Sequence, residues 1–254
     1  MNIIVCVKQV IDVSQMKLDS NTKKPILQGV PQKISDIDKN ALEEAIKIKE
    51  KHGGKITVLT VGQPNAKERI KELLAMGADD GIIVSAPDNI DYHVTSTLLA
   101  EAVKKIGKYD IILCGEASID LFSGHVGPRL AGILNIPQIT YALRLSVEKD
   151  KISAERNMGD NAVTSESTYP VLVTVTKEIN IPRLPSLMQI LGAASKPINE
   201  WPSSTLISNI NSVVETVDLK GVSMQRKNII FKDDIGESVN KLVETLAKEG
   251  VIGR

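Results

Sequence analysis

Five short apolar runs punctuate the first 175 residues: Asn2–Val7, Lys55–Val61, Gly81–Ser85, Asp110–Cys114 and Pro170–Val175. Each is rich in β-branched residues and shows no polar alternation, which is how a strand buried on both faces of a parallel sheet reads. Between them the apolar positions recur at helical spacing. Across 38–52, Ala41, Leu42, Ala45, Ile46 and Ile48 gather on one side, Glu43 and Lys47 form an i,i+4 pair, and Gly53 marks a stop. The stretch Asn65–Met76 places Ile70, Leu73 and Leu74 between a cap at Asn65 and a stop at Gly77, and Asp91 caps a helix carrying Val94, Leu98, Leu99, Ala102 and Ile106. Strands alternating with helices across short links predict right-handed crossovers in an α/β fold with a doubly wound, mostly parallel sheet. Its ligand crevice would lie at the carboxyl ends of the strands.

Three segments depart from this alternation. Residues 8–37 form a connection too long for a routine βα loop. Residues 139–157 alternate apolar and polar around Lys149-Asp150-Lys151, predicting an antiparallel hairpin added to the sheet. After Val175, Pro182, Pro185, Pro197 and Pro202 break the chain around a short helical piece, Leu187–Ala194. A last amphipathic helix spans Glu237–Glu249, with Asp234 as cap, Val239, Leu242, Val243 and Leu246 on one face, and Gly250 as stop. Such a tail cannot bury its own apolar residues, so it folds back on the core or embraces a partner. The expected division is a nucleotide-binding domain over 1–185 and a recognition loop with C-terminal arm over 186–254.

The densest chemistry lies in residues 110–132, DIILCGEASIDLFSGHVGPRLAG. They read as a buried strand, a polar turn from Gly115 to Ser123, and a helix beginning Gly124, His125, Val126, Gly127, Pro128. Small residues admit a ligand to the backbone and the amides of a helix start have no partner of their own, so the turn suits a phosphate or pyrophosphate. The competing reading is an ordinary strand-to-helix connection whose glycines serve packing. The stretch is neither a GxGxxG fingerprint nor a P-loop, and the motif leaves the nucleotide unnamed. Strand order would bring Lys8, Val61 and Gly62 to the same crevice. Asp120 reads as a holder of loop amides or a ribose hydroxyl rather than a general base, and His125 as a phosphate donor or a solvent-facing side chain. No nucleophile–base pair, carboxylate pair or metal-ligand cluster is apparent, so no catalytic or metal-binding residue is assigned. Any reaction would belong to a held cofactor.

Charge narrows the partners. Lys plus Arg equals Asp plus Glu at 31 each, so no net field draws nucleic acid or an anionic membrane, and at 3% aromatic residues there are few platforms for stacking bases. The start, MNIIVCVKQV, lacks the basic region and cleavage site of a signal peptide, and no run reaches the ~18 residues of a membrane span. A soluble, cytoplasmic protein is expected. Cys6 and Cys114 fall inside expected buried strands and read as small apolar side chains.

Several stretches together resemble the beta (small) subunit family of electron-transfer flavoprotein: VCVKQVID at 5–12, ILQGVPQKIS and DKNALEEA within 26–45, LLAMGADDGI at 73–82, GEASIDLFSGHVGPRLAG at 115–132, PVLVTV at 170–175, PRLPSL at 182–187 and EGVI at 249–252. No single piece is decisive, but their joint order and spacing are specific and cover nearly the whole chain. The resemblance implies a Rossmann-like, adenine-nucleotide alpha-hydrolase-like fold and a heterodimer with a larger alpha subunit that carries the electron-transferring FAD. It implies a nucleotide site in this subunit, holding AMP in simpler members and a second FAD in electron-bifurcating ones. Carried over by position, that site would comprise Cys6, Ser35, Asp36, Ile37, Asp38, Val61, Gly62 and, in the turn, Gly115, Ala117, Ser118, Asp120, Ser123, Gly124, His125, Val126 and Gly127. Members that bind FAD here commonly read Val-Gly-Pro at the helix start, as Val126, Gly127 and Pro128 do. That favours FAD over AMP, although Pro early in a helix also has a purely structural use.

The PRLPSL segment resembles the loop through which the family docks dehydrogenases. Leu187 stands at the apolar anchor and Arg183 in the same segment; burial statistics alone would make Leu187 a core residue. The implied partners are acyl-CoA-type or other dehydrogenases, or NADH, upstream, and a quinone oxidoreductase or ferredoxin downstream. Three departures stand out. Ser35-Asp36 replaces the usual Asn-Pro. The acidic end of an Arg-x-x-Asp-Gly-Gly-x-Glu signature is lost in Arg156–Val163. The lysine-rich run after the loop is Gly192-Ala193-Ala194-Ser195. Two competing readings are an AMP-binding structural subunit and a stand-alone ATP- or AMP-binding domain of universal-stress-like architecture, which would have no need of the tail.

Overall fold

The computed structural model describes residues 1–88, 90–209, 211–221 and 226–253. Numbering the strands of the main sheet, the elements are β1 (Asn2–Cys6), α1 (Asp36–His52), β2 (Lys55–Gly62), α2 (Lys67–Met76), β3 (Asp80–Ser85), α3 (Tyr92–Ile106), β4 (Ile111–Gly115), α4 (Val126–Leu134), β5 (Gln138–Val147), β6 (Lys151–Asn157), β7 (Ala162–Thr168), β8 (Val171–Val175), α5 (Leu187–Ala193), β9 (Ile198–Pro202) and α6 (Ile235–Lys248). All five apolar runs are strands of one sheet with the order β7-β6-β5-β8-β4-β1-β2-β3-β9. It is parallel from β5 to β9 and antiparallel at β5-β6-β7.

The alternation of side chains across β1 explains the two layers. Ile3, Val5 and Val7 enter one core with Leu42, Ile46, Ile70 and Leu73 from α1 and α2, whereas Ile4 and Cys6 enter a second core with Leu98, Val103, Leu130 and Ala131 from α3 and α4. The chain steps from β1 to β2 to β3 in one direction under α1 and α2. It then returns past β1 to β4, and α3 and α4 cover the other face. Right-handed crossovers require this change of face when the winding direction reverses. The sheet therefore has its switch point between β1 and β4.

Several boundaries differ from expectation. Helix α1 starts two residues early, at Asp36, and places Asp36 and Asp38 in the first turn, where they complement the helix dipole. Asn65 is not a cap. Pro64–Ala66 form a 3₁₀ turn ahead of α2, whose cap position is Ala66, and the Asn65 amide donates to Gln32 Oε1 at 3.4 Å. Helix α4 begins at Val126 because Gly124, with φ +65°, is left-handed and outside the helix. Asp91 does cap α3, accepting from the Val94 N–H at 2.9 Å. The hairpin is present, and β7 extends it to three strands; β9 closes the opposite edge. Neither shows in the hydrophobic pattern, because AVTSEST and INEWP contain no apolar run. Part of the 8–37 connection is a short antiparallel pair, Gln9–Ile11 with Gln32–Ile34.

The chain divides into two compact units. The larger comprises Met1–Lys17 and Pro25–Leu219, and the smaller comprises Leu18–Lys24 with the chain from Lys220 onward. In the smaller unit Asp234 caps α6 through the Gly236 and Glu237 amides, and Val239, Leu242 and Val243 stay exposed. No helix among the described residues is long and apolar enough to cross a membrane.

Candidate functional site at the β1/β4 crevice

Asp38 lies in the first turn of α1 at the switch point. Its side chain is buried and accepts from the Lys8 N–H at 2.8 Å, just beyond β1, and from the Gly115 N–H at 3.3 Å, at the end of β4. One carboxylate thus ties the chain just beyond β1 to the end of β4, its parallel neighbour. Burial pushes the Asp38 carboxyl up to about 7, against the downward pull of those two amides. Gly115 admits this arrangement for lack of a side chain: a Cβ there would sit 2.6 Å from Asp38 Oδ1 and 3.0 Å from Ile37 Cγ2.

Lys8 Nζ crosses the crevice mouth to Asp120 Oδ2 at 2.7 Å, and Asp120 Oδ1 accepts from its own neighbour's amide, Leu121 N–H, at 2.8 Å. Burial alone would raise the Asp120 carboxyl, but hydrogen bonds from Lys8 and Ser118 outweigh it and hold it below the usual carboxylate range. Ser35 is fully buried; its N–H donates to Lys8 O at 3.0 Å and its Oγ accepts from the Ile119 N–H at 3.4 Å. The segments around Lys8, Ser35–Asp38 and Gly115–Asp120 therefore form one hydrogen-bonded unit.

Helix α4 begins where the turn after β4 ends. Its cap residue His125 contributes no side-chain hydrogen bond, so the Val126 and Gly127 amides keep the unpaired donors of any helix start. Gly127 allows α4 to lie close on the sheet, since a Cβ there would meet Thr174 Cγ2 at 2.7 Å. The His125 ring stacks on Tyr92 with centroids 4.5 Å apart, and the Arg129 guanidinium sits 4.8 Å from the Tyr92 ring. Tyr92 and Arg129 escaped the sequence reading. The i,i+4 spacing of His125 and Arg129 was available as a signal, but their meeting with Tyr92 depends on how α3 and α4 pack.

The structure gathers Ser35, Ile37, Asp38, Gly115, Ala117, Ser118 and Asp120 into one place. Val61 and Gly62 end β2, one strand further along. Asp36 stands at the rim and pairs with Lys33 at 2.9 Å. Cys6 turns into the apolar layer beside Cys114, its register partner on β4; both are free thiols, and the Cys6 contact together with burial pushes the Cys114 thiol up. Ser123 is exposed in the turn, next to Leu121 and Phe122, which are exposed as well. Of the two residues assigned to docking, Leu187 is 71% exposed. Arg183 instead bonds to Glu43 and Glu50 of α1.

A family model described as the electron transfer flavoprotein domain matches residues 26–206. The electron transfer flavoprotein subunit beta of Thermoanaerobacterium thermosaccharolyticum is 39% identical over 261 residues, covering 99% of this chain and 100% of the relative. That of Clostridium acetobutylicum is 37% identical over 251 residues, covering 97% and 95%. The caffeyl-CoA reductase-Etf complex subunit CarD of Acetobacterium woodii is 39% identical over 204 residues, covering 79% and 78%. On the strength of these matches over nearly its full length, the chain belongs to the electron-transfer flavoprotein family, among its beta subunits.

Proposed function

We propose that the β1/β4 crevice holds the phosphates of an adenine nucleotide, FAD in preference to AMP, and that the chain works as the small partner of a flavin-bearing alpha subunit. The observation that carries this is a helix start without a side-chain cap, α4, on the connection that leaves β4 at the switch point of a doubly wound sheet. The residues fit an anionic group. Asp120 is neutralised by Lys8 and Asp38 is enclosed by two amides, so neither carboxylate repels a phosphate at the Val126 and Gly127 N–H groups. Preference for FAD rests on the Val126-Gly127-Pro128 start described above.

In this reading the chain's own residues bind and orient. Asp38 ties the ends of β1 and β4 together, Lys8 and Asp120 shape the mouth, and the α4 amides take the phosphates. When bound, a flavin supplies the electron transfer, with NADH among the possible donors if the complex is electron-bifurcating. The exposed loop around Leu187 docks an acyl-CoA-type dehydrogenase. The A. woodii relative, named for a complex with a CoA-ester reductase, supports that partner class.

The test is the absorption spectrum and extracted nucleotide content of the purified heterodimer. Two flavins per heterodimer support FAD here, one flavin with AMP supports the alternative, and no nucleotide in this subunit overturns the reading. Asp120→Ala and Gly124→Leu should each release the small-subunit nucleotide and spare the alpha-subunit FAD; full occupancy in both would mean the site lies elsewhere.

A further inference from the structure

Arg183 lies at the start of the proposed docking loop, yet its guanidinium faces inward. Nε and Nη2 donate to the two oxygens of Glu43 at 2.9 and 3.0 Å, Nη1 and Nη2 donate to the two oxygens of Glu50 at 2.6 and 3.2 Å, and its backbone N–H donates to Glu43 at 3.1 Å. Glu43 and Glu50 are seven residues apart on α1, two turns along one face. One planar fork thus spans two carboxylates, a geometry that the single ammonium of lysine cannot reproduce.

The far end of the loop is fixed as well. Lys196 Nζ donates to the Leu74 and Ala78 carbonyls at 2.8 and 2.7 Å, closing the C-terminal end of α2, and Pro197 O accepts from the Gly81 N–H at 3.0 Å where β9 joins the sheet. Between these anchors Leu184, Leu187 and Met188 are 93, 71 and 76% exposed. A segment tethered at both ends offers such side chains already arranged, and a partner that binds it is spared most of the cost of ordering them.

We infer that Arg183 is a positioning residue: its double ion pair with Glu43 and Glu50 clamps the base of the 184–195 loop to α1, so that the loop meets its dehydrogenase preformed and Arg183 itself does not touch that partner. The inference rests on the docking role proposed for the loop.

The experiment uses the complete heterodimer and the acyl-CoA dehydrogenase that reduces the wild type, with hydrogen exchange across 184–195 as a readout independent of any partner. Glu50 is exposed, so Glu50→Gln loosens the clamp without stranding a buried charge, whereas Arg183→Gln leaves the buried Glu43 carboxylate without its cation and Arg183→Lys restores charge without the fork. Arg183→Gln should raise KM for the dehydrogenase about tenfold, the equivalent of roughly 1.4 kcal/mol, with kcat and nucleotide content unchanged and exchange across the loop faster. Arg183→Lys should recover part of both effects, and Glu50→Gln should give a weaker version of the same pair. Unchanged exchange in both Arg183→Gln and Glu50→Gln overturns the clamp, as does a raised KM without faster exchange, which would put Arg183 in the interface. If Leu187→Ala leaves KM unaltered, the docking reading fails on its own, and the exchange data still decide whether the clamp exists.

Discussion

The crevice and the 184–195 loop are both stretches that follow a strand, and they are built on opposite principles. In the crevice polar groups turn inward: Asp38 onto two backbone amides, Asp120 onto Lys8, Ser35 onto Ile119. In the loop several apolar groups turn outward, so that Leu184 gains almost nothing from the fold and Leu187 little at an apolar transfer value of ~25 cal/mol per Å². The crevice is thus set by the chain's own interior, and a ligand needs only to enter it. Leu184, Leu187 and Met188 stay outside that interior, whereas Ala193 of the same loop packs into the core. Damage to the first should cost stability and ligand together, and damage to the second should cost association alone.

The severest break is Gly115→Val. The added side chain must displace Asp38 or Ile37, which are buried and fixed by α1. Overpacking at such a place costs about 3 kcal/mol. Denaturant unfolding should show that loss and the purified heterodimer should lack the small-subunit nucleotide, while the 184–195 loop keeps its exchange pattern. Retained nucleotide in a stably folded variant would contradict a crevice set by interior packing.

Asp38 sharpens the comparison through pH. Its folded carboxyl stands near 7 against an ordinary 3.8, so the folded state holds a proton that the unfolded state has released. Its contribution is fully present below the unfolded value and is lost as pH rises towards 7. One proton corresponds to 1.36 kcal/mol per pH unit, so stability should fall by about 2 kcal/mol between pH 5 and 6.5 from this group. Carboxylates held low, such as Asp12 and Asp91, slope the other way at lower pH. The measurement is therefore the difference between wild type and Asp38→Asn, and parallel stability curves would refute it.

Leu187→Ala comes next and belongs to the other region. Truncating an exposed anchor should raise KM for the dehydrogenase about tenfold, near 1.4 kcal/mol, and leave the melting temperature and nucleotide content alone. A drop in thermal stability would show that Leu187 supports the fold after all.

The two regions also differ in how readily the sequence discloses them. The five core strands were legible because burial on both faces leaves unbroken apolar runs, and Gly115 was legible as the start of the turn after a strand; Asp38 entered the site only through the family resemblance. Strand order brought Lys8 to the crevice of the 115–123 turn, but the ion pair of Lys8 with Asp120, 112 residues away, was not legible, because it depends on how the turn folds back over the end of β1. Strands β7 and β9 were lost to their polar composition. In the loop, pattern alone made Leu187 a core leucine. Hydrophobicity records that a residue avoids water and says nothing about which molecule will cover it.

The finest probe is the cap of α5. Ser186 Oγ accepts from the Gln189 N–H at 3.4 Å while Gln189 Oε1 accepts from the Ser186 N–H at 2.7 Å, a reciprocal capping box. Helix α5 has only seven residues, too few to persist on propensity, so this cap and its packing on α2 hold the turn that presents Leu187 and Met188. Ser186→Ala should cost about 0.5–1 kcal/mol locally. Because Leu187 remains, its effect on dehydrogenase KM should be a fraction of that of Leu187→Ala, whereas exchange in α5 should quicken clearly. An equal KM effect from both variants would mean that the order of the loop matters as much as its leucine, and the exposed region would then depend on preorganisation as strictly as the crevice does.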